Sequence, residues 1–153
     1  MKEKDKDSFV NLENARYGDQ LELMKKIREG GFCPFCPEHE AKAELGPLLK
    51  RGTYWTMRKN RWPYENTREH LLIIHNVHVE HLNDLTPEAW MELFKLVSWA
   101  EKEYRIEGGA IGMRFGDPTK NGATVDHIHA HVFAAEITDK NDPNYKPVRF
   151  RVG

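Results

Sequence analysis

Thr124 to Ala134 reads TVDHIHAHVFA, with histidines at 127, 129 and 131 alternating with Ile128, Ala130 and Val132. At the two-residue period of a strand, three imidazoles share one face and the apolar partners share the other. Packing alone is a poor reason for such a face, because each ring needs a hydrogen-bond partner, a metal or water. The competing reading is a solvated edge strand that happens to be His-rich. The glycine-containing loop just before it, GDPTKNGATVDH from Gly116 to His127, favours a functional site.

Around this strand, 153 residues form a natural single-domain length with material for one substantial core. Hydrophobic residues at 39% and charged residues at 31% are ordinary for a soluble globular domain. A formal net charge of -1 supplies no field for a nucleic-acid groove or an anionic membrane. The opening MKEKDKD lacks the apolar region of a signal peptide, and no apolar run is long enough to span a bilayer. Both cysteines fall in one CxxC, which implies no disulfide framework and makes a reducing cytoplasm the default.

In chain order, residues 1–15 read as a charged, loosely docked tail and 16–153 as one domain. Leu21, Met24 and Ile27 lie at helical spacing before Gly30-Gly31. A brief helix is expected in EHEAKAELG, ending before Pro47. Strands are expected at Tyr54–Met57, Leu71–Ile74, Ala110–Phe115 and Val125–Ala135, the second of them central to the sheet. Thr86-Pro87-Glu88 is a good helix start, and the helix should run to about Tyr104 with Trp90 and Phe94 in the core. VRFRV near the end reads as an edge strand or as a tail packed on a partner. The pattern as a whole is α+β, a mainly antiparallel sheet covered by helices.

Cys33-Pro34-Phe35-Cys36 admits three readings: a redox pair, a metal knuckle or two buried thiols. A redox pair wants to open a helix after a strand, whereas this one follows a helix and a Gly-Gly. A tetrahedral zinc site needs two further donors, and His39, His75, His78, His81 and His127 all qualify by residue type.

His127-x-His129-x-His131 resembles the signature of the histidine triad (HIT) family of nucleotide hydrolases and transferases. The segment NRWPYENTREHLLIIHNVHVEHLNDL (Asn60 to Leu85) looks like the family's central turn, strand and His-containing loop. With the CPFC, the likeness covers residues 32–135 and is that of a zinc-containing, CxxC-type member. The resemblance implies structural zinc on Cys33, Cys36, His78 and His127, with His39, His75 and His81 as rivals for the third position. It implies that His129 is the nucleophile forming a covalent nucleotidyl intermediate, that His131 donates to a phosphate oxygen, and that the Thr124 hydroxyl contacts phosphate or leaving group. The backbone around Gly122 and Ala123 would cradle the anion. Asn60 resembles the polar residue near ribose and base, while Trp62 either stacks on a base or fills the core. Arg114 departs from the family's usual Asn; it either binds phosphate or faces solvent.

The implied activity is nucleotidyl hydrolysis or transfer on phosphate anhydrides, esters or phosphoramidates, with adenine as the expected base. Attack on the intermediate by water or by inorganic phosphate would make a hydrolase or a dinucleoside polyphosphate phosphorylase. No catalytic cofactor is required, although Mg2+ can accompany a polyphosphate substrate. Transfer between sugar phosphates and a nucleotide-binding module without turnover are the alternatives; the related transferases carry two such domains, and the complete triad argues against the module. The family implies a homodimer, with no membrane and no nucleic-acid partner.

Overall fold

The computed structural model describes residues 8–153, and its organising element is the nine-residue strand β3 (Thr67–His75). Before it come the short β1 (Leu48–Arg51) and β2 (Trp55–Lys59); after it come β4 (Ala110–Met113) and β5 (His129–Ala135). The sheet order is β1-β2-β3-β5-β4 and every pairing is antiparallel, so β3 is central as its apolar run predicts. In register, Leu72 lies opposite His131 and Ile74 opposite His129 on β3, while Gly112 lies opposite His131 on β4.

One face of the sheet carries the main core. Trp55, Met57, Leu71, Ile73, Ala130 and Val132 pack against the helix α3 (Pro87–Glu103) through Ala89, Leu93, Leu96 and Ala100. Each fully buried aliphatic side chain here contributes about 1.5–3 kcal/mol. The Thr86 hydroxyl accepts from Ala89 N at 3.2 Å and caps the helix, as the Thr-Pro-Glu start predicts. The core-facing stripe differs from the sequence expectation. Trp90 and Phe94 are 41% and 67% exposed, because each sits one residue, about 100°, beyond Ala89 and Leu93.

The opposite face carries the histidines and a smaller apolar cluster. The helix α1 (Gly18–Gly30) buries Leu23, Met24 and Ile27 there against Val10 and Val125. Leu21, expected inside, is only half-buried, and Leu23 takes its place. The expected loose tail is docked from residue 8 onward: Val10 is 1% exposed and bridges Val125. The rest of that expectation falls on residues 1–7, outside those described. Short helices α2 (Glu40–Ala43) and α4 (Pro118–Asn121) complete the elements. VRFRV forms no strand and instead lies over β4, where a Cβ on Gly112 would come within 2.6 Å of the Phe150 ring. No helix among the described residues is long and apolar enough to cross a membrane.

Candidate active site and metal centre

β5 begins at His129, one turn of chain later than expected, yet the alternation holds: His127, His129 and His131 are all buried on the α1 side of the sheet. His129 and His131 line a cavity that lies between α1 and the sheet, with Leu72, Ile74, Phe35 and Met24 among its apolar walls.

His129 Nδ1 lies 2.6 Å from the His127 carbonyl. A carbonyl only accepts, so Nδ1 carries the proton and Nε2 keeps its lone pair. Burial pushes the imidazolium down to a pKa of about 4, and the positive field of Arg114 adds to this against the carbonyl's opposing pull. The ring is therefore neutral near pH 7, with one tautomer held by the backbone.

His131 is set by a relay that begins at the backbone. Tyr64 N–H donates to His70 Nδ1 at 2.8 Å, so the His70 proton is on Nε2. His70 Nε2 lies 2.9 Å from His131 Nδ1 and donates to it. His131 must then carry its own proton on Nε2, and that buried atom has no hydrogen-bond partner among the described residues. A buried donor without an acceptor costs about 1–3 kcal/mol, and a ligand oxygen would relieve it. Burial, with the fields of His129, His70, Arg114 and Arg16, pushes the His131 imidazolium well down. His70 was not singled out in the sequence; the signal available was its place two residues before Leu72 on the same strand face.

The remaining predicted residues divide. Asn60, Trp62 and Thr124 line the cavity with the two histidines. Asn60 lays its amide against the His70 ring at 3.2 Å and accepts from Trp62 N at 2.9 Å. Trp62 is half-buried, with its indole N–H on Asp19 and its ring beneath the Arg61 guanidinium. Gly122, in the left-handed region at φ 75°, closes α4, and the Ala123 amide is already taken by Asn121 Oδ1 at 2.8 Å. Neither lines the cavity, so the expected backbone cradle is not assembled around these two amides. Arg114 neither faces open solvent nor waits free: Nε and Nη2 donate to the Arg151 carbonyl at 2.9 and 2.6 Å, and Nη1 reaches Tyr64 Oη at 3.1 Å.

Beside the triad, donor atoms of Cys33, Cys36, His78 and His127 all lie within 4.8 Å of one another. Cys33 Sγ is 3.4 Å and Cys36 Sγ 3.8 Å from His127 Nδ1, and Cys36 Sγ is 3.6 Å from His78 Nδ1. With Zn–S near 2.3 Å and Zn–N near 2.0 Å, tetrahedral angles set sulfur–nitrogen edges at about 3.5 Å. The cluster therefore fits that ion. The tautomers fit as well: His127 Nε2 donates to the His75 carbonyl at 2.7 Å and His78 Nε2 faces Glu80 at 3.4 Å, leaving both Nδ1 atoms as ligands. Burial pushes the Cys33 thiol up to about 12, a cost that a dication on the thiolates would offset. The rivals lie outside this cluster: His39 Nδ1 is on the Cys33 carbonyl, His75 Nδ1 is on the Val77 carbonyl, and His81 is exposed. His39 does sit with Cys36 and Glu38 in a second close group, but Glu38 there is exposed.

Residues 65–137, from β3 through β5, match the family model described as HIT domain. Among solved structures, a HIT family hydrolase from Clostridium thermocellum aligns at TM-score 0.56 and 18% identity, over 71% of this chain and 96% of that one. A histidine triad protein from Clostridium difficile aligns at 0.54 and 18%, over 74% and 96%. A zinc-bound histidine triad family protein from Mycobacterium smegmatis aligns at 0.55 and 23%, over 75% and 83%. At these identities the likeness is one of fold. None of the curated proteins matches the chain by sequence.

Proposed function

We propose, from the match of residues 65–137 to the HIT domain model, the likeness in fold to histidine triad proteins and the CxxC beside the triad, that this chain is a HIT-family enzyme that transfers nucleotidyl groups through a covalent nucleotidyl-His129 intermediate. The family reading is nucleotide hydrolysis or transfer; an adenylyl substrate and this intermediate are the finer part of the proposal. The observation that carries it is the 2.6 Å contact from His129 Nδ1 to the His127 carbonyl, which leaves Nε2 as the unprotonated nitrogen of a ring lining the cavity.

The steps follow from the two tautomers. His129 Nε2 attacks the α-phosphorus; an N–P bond forms as the bond to the leaving oxygen or nitrogen breaks. The His131 Nε2–H donates to a non-bridging oxygen, whose charge grows in the transition state. Water then attacks the same phosphorus and gives up a proton to solvent, the N–P bond breaks, and the ring returns to its starting tautomer. In this reading Asn60, Trp62 and Thr124, which line the cavity, contact the nucleotide, while Arg114, outside that lining, acts through its field on His129 and His131.

Zinc on Cys33, Cys36, His78 and His127 would act as a structural clasp between the CxxC segment and the start of β5. The four protein donors fill a tetrahedral shell, so the ion would leave no open position for substrate. A homodimer in the cytoplasm is the setting that the family resemblance implies.

The test is time-resolved mass spectrometry of the intact protein mixed with diadenosine polyphosphates and an adenosine phosphoramidate, run beside His129→Ala. An adenylyl-sized adduct that the variant lacks is the expected result. Turnover that depends on added inorganic phosphate would make the second step phosphorolysis. Nucleotide binding with neither adduct nor turnover would overturn the catalytic reading.

A further inference from the structure

Tyr64 connects two cations that lie outside the triad. The Arg16 guanidinium lies over its ring at 4.3 Å from the centroid, and Arg114 Nη1 donates to its hydroxyl at 3.1 Å. The same Tyr64 ring stacks on His131 at 5.3 Å and packs on His70 at 4.3 Å. The aromatic ring thus holds one guanidinium on its face and the other at its tip, directly beside the donor histidine.

Neither cation has a carboxylate within ion-pair distance among the described residues. Glu65 is the carboxylate whose field reaches Arg16, and its effect is smaller than the repulsion from Arg114. Both cations act on His131, and Arg16 is the strongest charged influence on His70. The three neutral imidazoles near them supply no compensating charge. A surface arginine with no carboxylate is ordinary; two held on one ring beside the candidate phosphate donor His131 are not.

Their hydrogen bonds give them different parts. Arg114 is held in place by Tyr64 and by the Arg151 carbonyl, through one bond from each of its nitrogens, and it contributes a fixed field. Arg16 donates Nη2 to the Trp62 carbonyl at 2.7 Å, which aims the side chain, while Nε and Nη1 have no acceptor among the described residues. Arg16 also lines the cavity shared by His129 and His131. Its remaining N–H groups are the charged donors that recognise phosphate oxygens.

We propose that Arg16 is a specificity-determining residue, binding the phosphates of the leaving group in a field shared with Arg114, so that the site selects nucleotides whose leaving group is itself a phosphate chain. This rests on the nucleotidyl-transfer reading and narrows its substrate class. A phosphoramidate or a simple ester brings one negative charge to two uncompensated cations. A polyphosphate leaving group brings the second anion to Arg16.

The experiment measures kcat/KM of wild type, Arg16→Gln and Arg16→Lys on a diadenosine polyphosphate and on an adenosine phosphoramidate. In Arg16→Gln the ratio of polyphosphate to phosphoramidate kcat/KM falls by about tenfold or more, the loss of one charged hydrogen-bonding group. Arg16→Lys restores part of it by keeping the charge without the fork. A damaged fold would lower both substrates together; a ratio within about twofold of wild type therefore overturns the proposal. A second measurement does not need turnover: calorimetric binding of inorganic tripolyphosphate. Wild type binds it and Arg16→Gln binds about tenfold more weakly. Equal binding by the two, or none by wild type, overturns the proposal, while a wild type that binds tripolyphosphate but forms no adduct overturns only the catalytic reading.

Discussion

His70 and His131, 61 residues apart in sequence, meet across β3 and β5 with Nε2 of the first 2.9 Å from Nδ1 of the second. The contact decides which nitrogen of His131 carries a proton, and Tyr64 N–H decides it for His70. His70 is a positioning residue, since its ring acts on the site through His131. His70→Ala should lower kcat by about 10- to 100-fold with a smaller change in KM, because the lost interaction is made with the transition state. His70→Gln, which can still present an amide N–H, should recover part of the rate. A purely packing role would instead favour recovery by His70→Phe over His70→Gln.

The same residue should make stability depend on pH. Burial, then the fields of Arg16, His129 and Arg114, lower its pKa from 6.5 to about 3. Below 6.5 the unfolded chain takes a proton there that the native chain does not, so stability falls as pH drops from about 6.5 toward 3. Above that window the contribution is constant. Denaturant melts of His70→Phe should show a flatter profile between these limits than wild type; identical profiles would remove His70 from the account.

Cys33→Ser should lose bound zinc, which a chelator-dye assay or elemental analysis reads directly. With the metal gone, the clasp between the CxxC segment and His127 opens, and stability should drop by at least several kcal/mol. His39→Ala, outside the tetrahedron, should keep its metal. Zinc retained by Cys33→Ser, or lost from His39→Ala, would overturn the proposed ligand set.

Gly112 lies opposite His131 on β4, and the Phe150 ring occupies the space where a side chain would go. Gly112→Val should cost about 1–3 kcal/mol by overpacking, measured by urea unfolding. Adding Phe150→Ala should recover much of that loss, a coupling that a double-mutant cycle isolates. Simple additivity of the two changes would show that they do not meet.

The triad's shared face, the central β3 and the Thr86 cap were legible in the sequence from local pattern, and the group of Cys33, Cys36, His78 and His127 from the family resemblance. What escaped depends on partners distant in sequence. His70 reads as one polar residue at a strand start until β5 brings His131 to it. Trp90 and Phe94 are large and apolar, yet the small Ala89 and Ala100 face the core, because α3 sits close to the bulky Trp55. β1 is short and largely exposed, so its LLKR carries no clear alternation. Arg16 and Phe150 belong to opposite ends of the chain, and only the folded sheet places both beside Tyr64.

The two apolar clusters on opposite faces of the sheet are unequal, and that inequality bears on the histidine site. Behind β3 and β5 lies the large core with α3; over the histidines lies only the small group of Val10, Leu23, Met24, Ile27 and Val125. His129 and His131 are 4% and 5% exposed, and the α1 layer forms the outer wall of the cavity they line. A cover with few apolar anchors opens at a lower free energy than the rest of the molecule. Amide hydrogens of α1 should thus exchange well before those of α3 and β3, which makes the wall of the histidine cavity the first part of the domain to loosen.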